Sequence, residues 1–471
     1  IPYPKVGQRN SACRVGVVDL GSGETRWMRV PGDSRNQYIA RMDWAKSPER
    51  LILQVLNRAQ NENHILLAEV ASGATEEVFV EKDEAWVDIH DESYWIEDGG
   101  SITWMSERDG WRHAYGLSLD DGKLRQITSG DFDAIRLLWA DDEQGWAYLQ
   151  ASPGDATRRY LYRVRLDGSG FERLTPDEAK GWHDYDIAPN GKWAIHTASS
   201  IDDPPRVELI ALPSHEVVET LESNDELRAK LAELKRSPTQ FFRVEVEEGV
   251  GLDGWRIDPP EMEEGKTYPL LVHVYGEPAG QTVADRWSPR HHLWHVMLAQ
   301  QGYVVVSVDN RGTKVPRGRA FRKAAHRQIG VLAPREQATA VRKILAEDPR
   351  LDAERVGVWG WSGGGSMSLN AIFKFPELYK TAIAVAPVPN QRYYDTIYQD
   401  RYMGLPEENP DGFLEGSPII YAKQLEGNLL LIHGTGDDNC HYATTEMLIN
   451  ELIRHNKDFT MMAYPNRTHA I

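Results

Sequence analysis

Gly360-Trp361-Ser362-Gly363-Gly364 sits between an apolar run, Arg355-Val-Gly-Val-Trp359, and a stretch from Ser366 to Phe375 that contains no Gly or Pro. The run has the length and composition of a buried parallel strand, and Met367, Leu369, Ile372 and Phe373 recur downstream at helical spacing. A serine on a sharp strand-to-helix turn takes a strained backbone and needs small neighbours. Its hydroxyl stands above the sheet, and the first N–H groups of the helix point at whatever the oxygen attacks. In a chain with 39 glycines the pentapeptide alone says little. Its surroundings carry the reading.

A serine hydroxyl becomes a nucleophile when a base takes its proton, and the base needs a carboxylate to fix its tautomer. On this kind of turn the chain order is serine, acid, histidine, with the last two on loops after later strands. Asn428-Leu-Leu-Leu-Ile-His-Gly434 reads as an apolar strand and is followed by Thr435-Gly436-Asp437-Asp438-Asn439. Phe459-Thr-Met-Met-Ala-Tyr464 reads as another and is followed by Pro465-Asn-Arg-Thr-His469. Between them Tyr442 to His455 is amphipathic through Met447, Leu448, Leu452 and Ile453. Taken singly, the serine is a turn residue, the Asp pair a helix cap and the histidine a surface group. Together, in this order, they predict a catalytic triad of Ser362, His469 and one of Asp437 or Asp438, between which spacing does not choose.

The chain's 471 residues exceed one core, which predicts two or more domains. A formal charge of −18 argues against nucleic acid and anionic membrane surfaces as partners. Cys13 and Cys440 are the two cysteines, too few for a disulfide framework or a cysteine zinc site. No run reaches transmembrane length and no signal peptide is visible. The chain opens on Ile1 and stops two residues after His469, where a closing helix is expected, so it reads as a piece of a longer protein.

Two grammars divide it. Up to residue 235 the pattern is short strands and turns, with turns recurring at Gly21-Ser-Gly23, Ala71-Ser-Gly73, Asp120-Asp-Gly122, Asp167-Gly-Ser-Gly170 and Leu212-Pro-Ser214. Intervals of roughly 45–50 residues match four-stranded propeller blades, about four to five of them, with a β-sandwich as the competing arrangement. Glu81, Asp83 and Glu84 read as a solvated turn. A charged helical segment, Asn224 to Arg236, leads to residues 236–471, where apolar strands (Tyr268–Tyr275, Gly302–Asp309) alternate with helices such as Arg335–Leu345. That alternation predicts a mostly parallel sheet covered by helices on both faces.

The stretches Gly360-Trp-Ser-Gly-Gly364, Ala384-Val-Ala-Pro-Val388, Tyr393-Tyr-Asp395, Tyr398, Arg401-Tyr-Met-Gly-Leu-Pro406 and His433-Gly-Thr-Gly-Asp-Asp-Asn439 resemble the prolyl oligopeptidase family, and within it the dipeptidyl peptidase IV branch. The likeness extends more weakly to Tyr3-Pro-Lys-Val-Gly and Ser106-Glu-Arg-Asp-Gly-Trp-Arg-His113. It implies an α/β-hydrolase domain joined to a β-propeller, and it favours Asp437 as the acid. It implies that Tyr275 and the Gly363 amide bind the oxyanion. It also implies that Tyr394, Tyr398, Val388 and Cys440 line the pocket for the residue ahead of the cut bond, and that Asn439 holds the preceding substrate carbonyl. Gly363 stands where better-known members carry tyrosine, Gln391 where they carry tryptophan, and Cys440 where they carry a small apolar residue, which implies a wider pocket.

The activity so implied is a serine exopeptidase releasing amino-terminal dipeptides, Xaa-Pro or Xaa-Ala, with no metal or organic cofactor. A prolyl endopeptidase, an acylaminoacyl peptidase or a broad aminopeptidase are the alternatives with the same chemistry, and an inert propeller scaffold is the alternative from another class. The paired glutamates that bind a substrate amine in this branch would precede Ile1. Peptides are the expected partners, the family's habit of dimerising makes a homodimer an expectation without an identified interface, and the compartment stays open between periplasm, exterior and cytoplasm.

Overall fold

The computed structural model describes residues 3–471. Up to Glu222 the sheets are antiparallel meanders: a two-stranded ribbon (Gly16–Val18, Thr25–Trp27), then four four-stranded sheets spanning Gln37–Lys82, Trp95–Gln126, Ala134–Arg173 and Trp182–Glu222. They are the blades of a partial β-propeller. The recurring turns fall between the third and fourth strand of each sheet, or inside the ribbon. Gly73 and Gly122 show what fixes them. Both have positive φ, and a Cβ would come within 2.6 Å of the Trp27 carbonyl oxygen and 2.4 Å of that of Val78, each on the outer strand of the preceding sheet. The turn glycine thus seats one blade on the last. Between blades the faces bury apolar layers, such as Ile65 against Ile102, Trp104, Tyr115 and Leu117.

Helix α1 (Asp225–Ala232) leads to an eight-stranded sheet: β1 (Gln240–Glu247), β2 (Val250–Ile257), β3 (Tyr268–His273), β4 (Val304–Val308), β5 (Leu351–Trp361), β6 (Thr381–Val385), β7 (Asn428–Gly434) and β8 (Thr460–Tyr464). Their spatial order is β1-β2-β4-β3-β5-β6-β7-β8, and every pair from β4 onward in that order is parallel. Seven further helices connect them: α2 (Pro289–Gln300), α3 (Gly318–Lys323), α4 (Leu332–Glu347), α5 (Gly363–Lys374), α6 (Thr396–Tyr402), α7 (Pro410–Gly416) and α8 (Tyr442–Arg454). Val304, Val305, Val306 and Val308 are at most 1% exposed, as a central strand covered on both faces requires. This is the α/β-hydrolase arrangement. No helix among the described residues is long and apolar enough to cross a membrane.

The acidic cluster is not a solvated turn; this expectation is corrected. Glu81 is 5% exposed and accepts from the Trp104 indole at 2.9 Å and the Ser106 hydroxyl at 2.9 Å. Asp83 pairs with Arg319 and Lys323 of α3, both at 2.6 Å, across the boundary between propeller and hydrolase. Glu84 alone of the three is exposed. Nearby, the buried Arg322 guanidinium bonds to Glu107 and Asp133 of the propeller. The carboxylates face cations distant in sequence, which a local reading has no means of seeing.

Candidate active site

Ser362 caps α5 with φ 61° and ψ −120°, the strained conformation the turn demands. The glycines around it are obligatory for a common reason. A Cβ on Gly360 would lie 2.4 Å from the Val274 carbonyl oxygen, and one on Gly364 2.2 Å from the same atom. The strand β5, the start of α5 and the end of the segment leading to Tyr275 therefore close on one point. The Ser362 amide donates to Val385 at 2.8 Å, tying the turn to β6 as well. Gly363 is the first residue of α5, so its N–H has no acceptor within the helix.

The loops after β7 and β8 are strapped together. Thr435 N–H donates to the Tyr464 carbonyl at 2.9 Å and Gly436 N–H to that of Arg467 at 3.0 Å. A Cβ on Gly434 would meet the Arg467 carbonyl oxygen at 2.3 Å. This brings Asp437 and His469 together: His469 Nδ1 lies 2.8 Å from Asp437 Oδ2. Asp438, by contrast, is exposed and holds no histidine. The other carboxylate oxygen of Asp437 accepts from the amides of Asn439 and Cys440, both at 2.9 Å. Burial pushes this carboxyl up, but the bonds from His433, His469 and the Asn439 amide outweigh burial and hold it well below the usual carboxylate range. An ionised Asp437 at Nδ1 fixes the proton there and leaves Nε2 of His469 as the acceptor.

His433 is the residue that pattern reading left without a role. Its Nε2 lies 3.1 Å from Asp437 Oδ2 and 2.8 Å from the Cys440 carbonyl, and its Nδ1 lies 2.8 Å from Thr445 Oγ1. It is 0% exposed. A carbonyl at Nε2 makes that nitrogen the donor, so His433 supports Asp437 from behind. Its position on β7, four residues before the acid, was the available signal.

Ser362 and His469 share no hydrogen bond among the described residues. The serine Oγ instead lies 3.9 Å from Cys440 Sγ, a weak contact. The two residues are linked through Trp361, whose indole donates to the His469 carbonyl at 3.1 Å. Tyr275 is half-buried, and it borders with Ser362 a cavity of about 670 Å³. Burial and the nearby Glu277 carboxyl raise its phenol, keeping it a proton donor.

The rings of Tyr394 and Tyr398 stand edge to face with centroids 5.4 Å apart. Tyr394 OH donates to Asn439 Oδ1 at 2.8 Å, and Tyr398 OH to Glu277 Oε2 at 2.6 Å. Asp395 caps α6 through the Tyr398 amide at 2.9 Å, which orients the ring. Cys440 and Val388 are buried, and the Val388 amide donates to Ser366 Oγ at 2.9 Å, fixing that strand end against α5. The amino-terminal segment joins the wall: Tyr3 OH donates to the Asn439 carbonyl at 3.1 Å, Val6 N–H to that of Tyr394 at 3.0 Å, and Thr396 N–H to that of Pro4 at 3.0 Å. A cavity of about 1330 Å³ opens here between propeller and hydrolase, bordered by Tyr394, Tyr398 and Asp438.

Residues 1–205 match the family model described as the dipeptidyl peptidase IV N-terminal region, and residues 290–471 match that of the prolyl oligopeptidase family. Dipeptidyl peptidase 4 of Trichophyton equinum is 28% identical over 470 residues, 96% of this chain and 59% of that protein. Dipeptidyl peptidase 4 of Arthroderma otae gives the same identity and coverage. The crystal structure of Porphyromonas gingivalis dipeptidyl peptidase 4 superposes with a TM-score of 0.93 at 31% identity, covering 100% of this chain and 65% of that one. The chain thus spans 59% of the length of these curated relatives.

Proposed function

The chain belongs to the prolyl oligopeptidase family, and from that premise we propose that it carries the catalytic machinery of a serine exopeptidase releasing amino-terminal dipeptides, with proline or alanine ahead of the cleaved bond. The observation that carries this reading is the Asp437–His469 pair at 2.8 Å, tied by its hydrogen bond from the indole of Trp361 to the residue preceding a strained Ser362. Dipeptide release is what the names of the relatives say of those proteins. A rigid, apolar proline ring suits a wall made of phenol rings such as those of Tyr394 and Tyr398.

In the proposed reaction His469 Nε2 removes the Ser362 proton as Oγ bonds to the substrate carbonyl carbon. The carbonyl oxygen becomes an oxyanion and accepts from the Gly363 amide and the Tyr275 phenol. Each such donor is worth on the order of 3 kcal/mol of barrier. Collapse breaks the C–N bond, and the leaving amine takes the proton from the imidazolium. A water then attacks the ester, giving its proton to His469, and the serine leaves reprotonated as the dipeptide carboxylate departs. In this reading Asn439, whose Oδ1 accepts from Tyr394, donates its side-chain amide to the carbonyl of the preceding substrate residue.

The test compares free and amino-blocked forms of one Xaa-Pro chromogenic peptide on the full-length protein, with Ser362→Ala as control. The reading expects cleavage of the free form, no turnover by Ser362→Ala, and fluorophosphonate labelling that this change abolishes. Preference for the blocked form would overturn the exopeptidase assignment. Turnover retained in pure Ser362→Ala would overturn the mechanism.

A further inference from the structure

Glu277 follows the oxyanion-side tyrosine by two residues and turns its carboxyl toward the residue after the nucleophile. A Cβ on Gly363 would lie 2.7 Å from Glu277 Cδ and 2.8 Å from its Oε2. Any side chain at 363 would displace that carboxyl, so the glycine and the glutamate are one arrangement. Oε2 accepts from the Tyr398 phenol at 2.6 Å, and no described residue donates to Oε1. The other groups facing it are Tyr275, Tyr394, Tyr402 and Cys440, all uncharged near neutrality because burial raises each of them. Glu277 is 7% exposed and has no Lys, Arg or His partner among the described residues.

A buried carboxyl normally has a cation or a full set of donors. Here the protein supplies one phenol. The unmet oxygen belongs to a group set among Gly363, Tyr398 and Cys440, where the substrate side chain ahead of the cut bond would lie. We infer that Glu277 is a specificity-determining residue that lets this pocket take a substrate side chain ending in an amine or guanidinium, lysine or arginine, alongside small residues. A pocket walled by rings alone offers such an end group cation–π attraction but no opposite charge. Gly363 makes the room that the Glu277 carboxyl occupies, since a Cβ there would displace it.

The inference rests on Ser362 as nucleophile and is independent of exo or endo cleavage. Its test uses diphenyl phosphonates, with free and acylated amino ends, carrying proline, norleucine or lysine at the phosphorus-bearing residue, and reads the labelling rate of Ser362 in the full-length protein. Lysine and norleucine share chain length and differ in the terminal amine. The expected lysine-to-norleucine ratio is at least about tenfold in the natural protein and falls to within about threefold of unity in Glu277→Gln. Proline labelling with a lysine-to-norleucine ratio near one in the natural protein overturns the inference alone, with no variant required. A ratio that Glu277→Gln leaves intact overturns it as well. Absence of labelling by every phosphonate in a folded protein refutes the nucleophile and the inference with it.

Discussion

The indole of Trp361 donates to the main-chain carbonyl of His469 at 3.1 Å. The residue preceding the proposed nucleophile thus grips the residue that would serve as base, although the two lie on different loops. The side chain of His469 is 26% exposed and its backbone follows a surface loop, so this bond restrains a segment with little packing of its own.

Trp361→Phe removes the donor and keeps most of the ring. Loss of one hydrogen bond of about 1 kcal/mol predicts a fall in kcat of roughly five- to tenfold, with KM and the melting temperature little changed. Steady-state kinetics on a free-amine substrate checks this. An unchanged kcat would show that Asp437 alone positions the imidazole.

Arg322 is 4% exposed and neutralises Glu107 and Asp133 where α3 meets the propeller. Arg322→Met leaves the buried Asp133 without an ion-pair partner among the described residues, while Glu107 keeps Lys323 at 2.8 Å and Arg112 at 3.4 Å. Breaking a buried pair in this way costs about 3–5 kcal/mol. The expected result is a clearly lowered denaturation midpoint, with part of the loss restored when Asp133→Asn is added, as read by chemical unfolding.

Glu277 gives a pH signature with a definite sign. Burial raises its carboxyl from 4.5 to about 7 in the folded chain, and the Tyr398 phenol offsets this only in part. Between those values the folded state keeps a proton that the unfolded state has lost, so stability falls as pH rises through this window and then levels. Glu277→Gln lacks this slope. Its melting temperature relative to the natural protein should therefore climb between pH 4.5 and 7, by the equivalent of a few kcal/mol at most, and hold steady above. Differential scanning fluorimetry across that range reads it directly.

The sequence shows best what is written locally. The elbow glycines, the strand–acid and strand–histidine loops and the blade turns each carry their reason within a few residues, and the strand runs Tyr268–His273, Val304–Val308 and Asn428–Gly434 appear where apolar content places them. β1 and β2 escape the alternating strand–helix pattern, since both are antiparallel additions at the sheet edge and β1 alternates charged with apolar residues. The role of His433 depends on a carboxylate that bends back toward it, and that of Asp83 on cations contributed by another domain. Glu277 was invisible for the same reason: its position acquires meaning from the missing side chain at Gly363, far along the chain.

The strap formed by Tyr3, Pro4 and Val6 against Tyr394, Thr396 and Asn439 means that the proposed pocket wall is braced in part from outside the hydrolase half. A hydrolase domain excised near residue 235 would keep Ser362 and Asp437 yet lose the polypeptide that braces Tyr394 and Asn439. With Tyr394 and Tyr398 in the proposed pocket role, substrate choice would be a joint property of both halves, and swapping propellers between relatives would re-tune selectivity without a single change to the reacting atoms.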